Sequence, residues 1–277
     1  IIGTETAYHA DYVEAAARAG KDILLQKPMA LTLEDCDRIL RAVESSGVRF
    51  SMAWQMRCDP QNIWMREAVQ SGTIGKITML RRRHALTTQS WPDFDESWHV
   101  RPELNRDIFM DDAAHPVDFL AWMLGQPVSV IAEMDTFVNP KIPNDNAIAV
   151  YRFEGGTIGI AECSFTCVAA EETTVIVGDK GTILQSFGDG PSCGWVVPTP
   201  EGTRGLKYIV AGENAWNVVD IPTPPNHGHR IGGVARPAVE FFQGKREPIA
   251  TAEEGRLNVR MLLAAYEASQ TGQRVAI

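Results

Sequence analysis

The first 54 residues alternate between apolar stripes with helical spacing and short predicted strands. Stripes lie at 9–20 and 36–43. The first is followed by a strand at 21–26, which contains the apolar run Ile23-Leu24-Leu25, and the second by a strand at 48–53. Strands that alternate with helices at this spacing form a parallel sheet, whose crossovers are right-handed and whose ligands bind beyond the carboxyl ends of the strands. Lys27 follows such an end, so the pattern places it at a ligand crevice.

Strand-like segments dominate the rest of the chain, after one predicted helix at 61–71. Turn signals such as Glu154-Gly155-Gly156 separate these segments, which indicates a mainly antiparallel sheet. Further helices are predicted at about 112–124, 234–243 and 253–271. The predicted strands lie at 76–85, 128–137, 147–153, 157–165, 173–177 and 182–187.

Composition and charge narrow the classes of partner. With 35 acidic and 26 basic residues the net charge is −9, which disfavours nucleic-acid binding and favours a small-molecule partner. Five cysteines without a CxxC pair or zinc-type spacing are typical of free thiols in a reducing cytoplasm, and we expect no metal site. No apolar run reaches the roughly 20 residues that cross a bilayer, so we expect no membrane association. Because Ile1 already lies in an apolar run, we expect the front of a longer sequence to be missing.

Asp111 and His115 are the first candidates for chemistry. Residues four apart on a helix share one face, so both side chains would point into one cleft. The positive end of a helix disfavours imidazolium, and a neutral imidazole near that end suits a general base, while Asp111 would hold its pKa near the working range. The alternative is structural: Asp111 or Asp112 caps the helix and His115 packs beside it.

The loop before this helix offers candidates for substrate contact, namely Trp91, Trp98, His99 and Arg101. Indole faces can stack on a sugar ring, and a guanidinium can bind hydroxyls or a carboxylate. Alternatively, the tryptophans pin a long loop to the body of the protein.

Two other polar motifs favour structural interpretations. His227 and His229 alternate with glycine in a proline-rich segment, which we interpret as a flexible loop, with substrate contact and a metal site as alternatives. Strand alternation divides Arg81-Arg82-Arg83 between two faces, so we expect these arginines at a sheet surface or a subunit contact.

Several motifs, taken in order, resemble the Gfo/Idh/MocA family, named for glucose-fructose oxidoreductase and inositol dehydrogenase. Together they span essentially the whole chain. They are Gly3-Thr4 to His9, Gln26-Lys27-Pro28-Met29-Ala30, Gln55 to Pro60, Asp111 to His115 with Asp118, Gly178 to Gly181, and Glu253-Glu254-Gly255 to Thr271-Gly272.

The resemblance implies a fold and a cofactor. Family members begin with a dinucleotide-binding unit whose glycine-rich turn holds a pyrophosphate, but the sequence contains no GxGxxG. We therefore expect α/β plus α+β architecture: residues 1–54 form the later part of a Rossmann domain, and residues 55–277 form a substrate-binding and oligomerisation domain with a mainly antiparallel open sheet and flanking helices. NAD or NADP is implied, with Thr4, His9, Gln26, Lys27, Pro28 and Arg57 as the cofactor-binding candidates. A surface ion pair is the alternative for Arg57.

The resemblance also assigns catalytic roles. Lys27 corresponds to the lysine of the family's Glu-Lys-Pro motif, although Gln26 replaces the glutamate here, and Asp111 and His115 complete the catalytic set. Where the family often has a glycine triplet, this chain has Asn105-Arg106-Asp107, which makes Arg106 and Asp107 candidates for substrate selectivity.

The expected function is hydride transfer between a nicotinamide cofactor and a secondary hydroxyl or ketone of a sugar, sugar derivative or cyclitol. Two alternatives stay open: an NAD-dependent glycoside-cleaving enzyme, and a non-catalytic sugar- or cofactor-binding relative. The resemblance further implies a homodimer or homotetramer.

Overall fold

The computed structural model describes residues 1–168, 171–185 and 200–277, apart from the side chains at 171 and 227. Two sheets organise these residues. Cys193 and the end of the strand predicted at 182–187 lie outside the described residues.

The smaller sheet is parallel, as the alternation of runs and stripes predicts. β1 (Ile23–Leu25) pairs with β2 (Phe50–Met52), and Ile2 adds a parallel bridge to Leu25. Two helices, α1 (His9–Arg18) and α2 (Leu33–Ser46), pack beside these strands. α2 ends at Gly47, whose φ of 67° is a left-handed conformation that glycine adopts without a steric penalty.

The larger sheet has nine strands within the described residues. They are β3 (Ile77–Ala85), β4 (Pro127–Asp135), β5 (Asn146–Phe153), β6 (Ile158–Ser164), β7 (Glu171–Gly178), β8 (Gly181–Gln185), β9 (Leu206–Val210), β10 (Asn217–Val218) and β11 (Val275–Ala276). Their order in the sheet is β10-β9-β8-β7-β3-β6-β5-β4-β11. Only the β3–β6 pair among these is parallel, so the prediction of a mainly antiparallel sheet is confirmed.

Helices cover one face of this sheet. α9 (Ala252–Thr271) begins with a capping box in which the Thr251 side chain and Glu254 satisfy each other's backbone N–H groups. The remaining helices are α3 (Pro60–Gln70), α4 (Pro102–Asn105), α5 (Ile108–Asp112), α6 (Ala114–Leu124), α7 (His227–Gly232) and α8 (Ala235–Phe242). Short 3-10 helices occur at Thr6–Tyr8, Gln55–Cys58, Thr88–Ser90, Phe94–Glu96, Trp98–Val100 and Glu154–Gly156. No helix in the described ranges has both the length and the apolar character needed to cross a bilayer.

The core lies between α6, α9 and the sheet. Alternate residues of β5, from Ala147 to Phe153, are buried against these helices, whereas the intervening side chains face outward. The domain boundary between residues 54 and 55 stays a prediction.

Two interpretations of polar motifs are wrong. The segment that carries His229 is the short helix α7 rather than a loop, because the Asn226 side chain caps it by accepting the N–H of His229. Arg82 is fully buried rather than at a sheet surface, because its guanidinium ion-pairs with Glu172 and donates to Gln185.

Candidate active site

A cavity of about 320 Å³ lies where the small parallel sheet meets the inner face of the large sheet. Its walls come from the carboxyl end of β1, from α5 and the first turn of α6, from β3 and β7, and from residues 86–99, which we call the aromatic loop. The lining residues are Gly3, Thr4, Gln26, Lys27, Gln55, His84, Leu86, Trp91, Phe94, Trp98, His99, Asp111, Asp112, His115, Glu172 and Ile231.

Lys27 enters the cavity directly after β1. Its ammonium donates to Asp111 Oδ1 at 2.6 Å and to the Asp111 carbonyl at 3.1 Å, and it lies 3.5 Å from Asp112 Oδ1. The structure therefore brings together two of the three catalytic candidates, which are 84 residues apart in the sequence.

The charges of this cluster are set by burial and by the ion pair. Burial alone would lower the pKa of Lys27, but the carboxylates of Asp111 and Asp112 raise it above its ordinary value. Burial raises the pKa of Asp111, yet Lys27 and His99 outweigh it and lower that pKa to about 2. For Asp112 burial prevails, and its pKa is raised. Asp111 is thus the firmly ionised partner of a charged Lys27.

His115, the third catalytic candidate, is the second residue of α6 and is buried in the cavity wall. Its Nε2 lies 3.3 Å from Gln55 Nε2 and 3.9 Å from Asp112 Oδ1, and its ring packs edge-on against Trp54. The sequence suggested Asp111 as the acid acting on His115. Asp112, three residues before His115, has Oδ1 within ion-pair distance of its ring.

The aromatic loop both packs on itself and faces the cavity. Trp98 stacks on His99 with ring centroids 3.8 Å apart, and Trp91 packs edge-on against Phe94. His99 Nδ1 is 2.6 Å from Asp111 Oδ2, so the loop is tied to the cluster. Trp91, Trp98 and His99 all line the cavity, as the sequence suggested.

Arg101 turns away from this cavity. It donates to the carbonyl of Glu96 on the exposed side of the loop and is absent from the lining. The structure therefore does not support a contact between Arg101 and substrate.

Arg57 also lies elsewhere. It is 7% exposed, and its guanidinium donates to Asp118 at 2.7 and 2.9 Å and to Glu254 at 2.6 Å. It lines a different cavity, beside Trp122. Both suggestions from the sequence are corrected, since Arg57 makes a buried ion pair rather than a surface one and does not reach the cleft.

Arg106 and Asp107 hold the start of α5 instead of lining the cavity. Arg106 lies over the Tyr266 ring, 3.7 Å from its centroid. The Asp107 side chain accepts the N–H of Met110 at 2.9 Å and the Asn144 amide at 2.7 Å. Their proposed part in selectivity is not supported, because their contacts are with the protein core.

The cofactor-side candidates divide into a lining group and a supporting group. Thr4 and Gln26 line the cavity beside Lys27, at the carboxyl ends of adjacent parallel strands. His9 is buried behind them, 3.0 Å from the Pro28 carbonyl and 3.2 Å from that of Thr4, and burial lowers its pKa. His9 and Pro28 therefore fix the two turns that carry the lining residues.

These residues fit the reacting end of a dinucleotide. Gly3 presents bare backbone at the rim, and the only nearby atom that a Cβ there would meet is Gln26 Cγ, at 3.6 Å. Gly3, Thr4 and Gln26 line the cavity together with Lys27, so the nicotinamide end of the cofactor would be held beside the ammonium group. A glycine-rich turn for the pyrophosphate is not part of this sequence.

Sequence reasoning missed several cavity residues, above all His84 and Glu172. Both are 1% exposed, and they are cross-strand neighbours in the β3–β7 pair. A signal was present: with a period of two, Leu80, Arg82 and His84 share the buried face of β3. Gln55, Phe94, Asp112 and Ile231 were also missed as cavity residues.

Comparison with known proteins places the chain among oxidoreductases. Residues 1–54 match the family model for the oxidoreductase family with an NAD-binding Rossmann fold, and residues 63–184 match the GFO/IDH/MocA C-terminal domain. The chain is 27% identical over 279 residues to 1,5-anhydro-D-fructose reductase of Ensifer adhaerens, covering 100% of this chain and 78% of that protein. It is 30% identical over 218 residues to myo-inositol 2-dehydrogenase of Thermotoga maritima, covering 76% and 62%, so it spans less than two thirds of that relative.

Solved structures share the fold. Levoglucosan dehydrogenase in complex with NADH and levoglucosan superposes with a TM-score of 0.84 at 20% identity, covering 100% of this chain and 79% of that one. The WlbA dehydrogenase of Bordetella pertussis, in complex with NADH and UDP-GlcNAcA, gives 0.78 at 23% identity, covering 99% and 78%. The two matched family models together span more than half of the sequence. The chain belongs to the Gfo/Idh/MocA family of NAD-binding oxidoreductases.

Proposed function

We propose that the protein transfers hydride between NAD or NADP and a secondary hydroxyl or ketone of an uncharged sugar, sugar derivative or cyclitol. The observation that carries this proposal is the convergence of Lys27, Asp111 and His115 on one cavity at the carboxyl end of a parallel strand. Gly3, Thr4 and Gln26 would hold the nicotinamide end of the cofactor, whose chemistry when bound would be to supply or accept the hydride.

In the direction of oxidation, His115 accepts the proton of the substrate hydroxyl. The His115 ring is fixed in the cavity wall by its edge-on contact with Trp54 and lies 3.3 Å from Gln55 Nε2. Lys27 donates a hydrogen bond to the same oxygen and stabilises the negative charge that develops on it. Asp111 keeps Lys27 charged and fixes its direction, and His99 fixes Asp111 in turn.

The charges of the cavity favour an uncharged substrate. Of the described residues that line it, Lys27 is the one lysine or arginine, and Asp111 balances its charge. A phosphate or carboxylate would need a further cation, and Arg101 does not supply it. The relatives named for inositol and for 1,5-anhydro-D-fructose are consistent with this choice.

The test is a redox assay of the intact protein with NAD⁺ and NADP⁺ against myo-inositol, scyllo-inositol and levoglucosan. We expect reduced nicotinamide to accumulate with at least one of them. Release of sugar from a glycoside without net formation of reduced nicotinamide would indicate the glycoside-cleaving alternative. Binding of cofactor and sugar without any redox exchange would indicate a non-catalytic relative and refute the proposal.

We also propose a homodimer or homotetramer that associates through the outer face of the large sheet. The strand register places Ile131, Val150 and Ile160 in one row of that face, and Ile148 in the next. Ile131 is 40% exposed and Ile148 is 50% exposed, and contiguous exposed apolar side chains are typical of an interface. Light scattering tests this, because Ile148→Glu should yield a monomer, and an unchanged mass would contradict the proposal.

Cysteine chemistry supports a cytoplasmic location, which we include in the proposal. In the described part of the chain Cys36, Cys58, Cys163 and Cys167 are free thiols, as expected under reducing conditions. Fractionation of the native host tests this location, and recovery outside the cytoplasm would contradict it.

A further inference from the structure

One wall of the cavity takes no part in the proposed reaction. It is formed by His84 on β3 and Glu172 on β7, which the strand register places directly opposite each other. His84 Nδ1 lies 3.5 Å from Glu172 Oε1. The His84 ring is also a neighbour of the catalytic candidate His115, with ring centroids 5.5 Å apart.

Two buried arginines compensate the charge of Glu172. Arg82 lies 3.1 Å from Oε2, Arg230 donates to the same oxygen, and Arg230 Nε is 3.0 Å from Asp59 Oδ2. Two guanidinium groups and two carboxylates therefore balance within a fully buried cluster. Such a cluster is seldom the most stable way to fill a core, since apolar side chains of similar volume often do as well or better. The two arginines fix the Glu172 carboxylate through Oε2, which leaves Oε1 on the side of His84.

We infer that His84 and Glu172 form a second hydroxyl-binding face, which takes the substrate hydroxyl on the carbon next to the reacting carbon. This inference rests on the proposed function. Because the His84 and His115 rings are neighbours, a hydroxyl held by His84 lies beside the one that His115 deprotonates. An imidazole can donate or accept, and a carboxylate accepts, so together they match a hydroxyl that does both. The substrate class is then a polyol with two neighbouring hydroxyls.

A site of this kind discriminates against a substrate that lacks the second hydroxyl. The buried imidazole and carboxylate would face an apolar carbon and lose a hydrogen-bond partner. We expect the wild-type protein to prefer the diol over its mono-deoxy analogue by about 10- to 100-fold in kcat/KM.

The experiment measures this preference in wild type and in His84→Leu, using the polyol that the redox assay identifies and its analogue without the neighbouring hydroxyl. In His84→Leu the ratio of kcat/KM values should fall to near one. Thr174→Val is the matched control, because Thr174 accepts from Arg82 at 2.7 Å in the same buried cluster but does not line the cavity. It should keep the wild-type ratio even where it lowers stability.

A second variant protects the test against misfolding. His84→Phe keeps an aromatic ring beside Phe165 and His115 but removes both ring nitrogens, so it should also collapse the ratio, and it replaces His84→Leu if that variant does not fold. An unchanged ratio in a folded variant, or a wild-type protein without preference for the diol, overturns the inference while polyol turnover still supports the proposed function. If wild type turns over no polyol at all, the proposed function itself fails, and the inference fails with it.

Discussion

Replacing Asp111 by asparagine tests the electrostatic basis of the proposed site. The substitution keeps the shape of the side chain but removes a charge that is 3% exposed and lies 2.6 Å from both Lys27 Nζ and His99 Nδ1. The difference between the ordinary pKa of 3.8 and the value of about 2 corresponds to roughly 2 kcal/mol in favour of the ionised carboxylate. Lys27 would keep Asp112 at 3.5 Å, but burial raises the pKa of Asp112, which makes it the weaker partner.

Asp111→Asn should also impair catalysis, through its effect on Lys27. Without Asp111 the pKa of Lys27 falls, because the carboxylate that favours the ammonium most is gone. At neutral pH we expect kcat/KM to fall by about 10²- to 10³-fold, the loss typical of a misplaced transition-state donor. In the variant the alkaline limb of the pH–rate profile should move to lower pH. The assay is steady-state kinetics across pH with the polyol identified above.

Stability gives an independent check. The pKa of Asp111 is depressed by folding, so its ionisation stabilises the fold above pH 3.8, and this contribution is lost as pH falls toward about 2. In urea unfolding, Asp111→Asn should lower the free energy of unfolding at neutral pH and flatten its pH dependence in that window. Asp112→Asn is the matched control: burial raises the pKa of Asp112, so neutralising it should not destabilise the fold. Equal destabilisation by both variants, or an unmoved alkaline limb in Asp111→Asn, would refute this account.

Three further substitutions separate the roles of other residues. Lys27→Met should reduce kcat by about 10²-fold or more, while circular dichroism shows unchanged secondary structure. Near-normal turnover would show that Lys27 has no catalytic role. His115→Asn should reduce kcat by about 10²- to 10⁴-fold with little change in substrate binding, and an unaltered acid limb of the pH–rate profile would count against a general base. Arg57→Met should lower the free energy of unfolding by about 3–5 kcal/mol, because it leaves Asp118 buried without its partner, while KM for the dinucleotide stays constant. A raised KM for the dinucleotide with an unchanged free energy of unfolding would instead indicate that Arg57 contacts the cofactor.

The features that sequence predicted correctly depend on local signals. The parallel strand that ends before Lys27 follows from an apolar run and a proline, and helical spacing brings Asp111 and His115 close to one cleft. The break between α5 and α6 at Ala113 also has a local cause. Pro116 has no N–H to donate to the carbonyl of Asp112, so one continuous helix through these residues would lack that bond.

The features that sequence missed depend on distant partners. Arg82 is buried because it meets Glu172 and Gln185, which are 90 and 103 residues away. Arg57 is buried because it meets Asp118 and Glu254, 61 and 197 residues away. No pattern within a window of ten to twenty residues distinguishes such an arginine from one at a surface. Its burial is decided by which charged partners the completed topology brings to it.

The two halves of the cavity therefore depend on the fold in different ways. The reactive half needs only a strand end and the first turn of a helix, whereas the opposite wall needs the register of β3 against β7. That register pairs His84 with Glu172, and a slip of one residue would turn an entire set of side chains to the outer face. Gly178 restricts such a slip, because a Cβ at this position would lie 2.0 Å from the Ile74 carbonyl, so the strand end accepts glycine alone at this contact. Substrate discrimination by this wall is in this sense a consequence of strand register, and substitutions that shift the register should change specificity before they change the reaction itself.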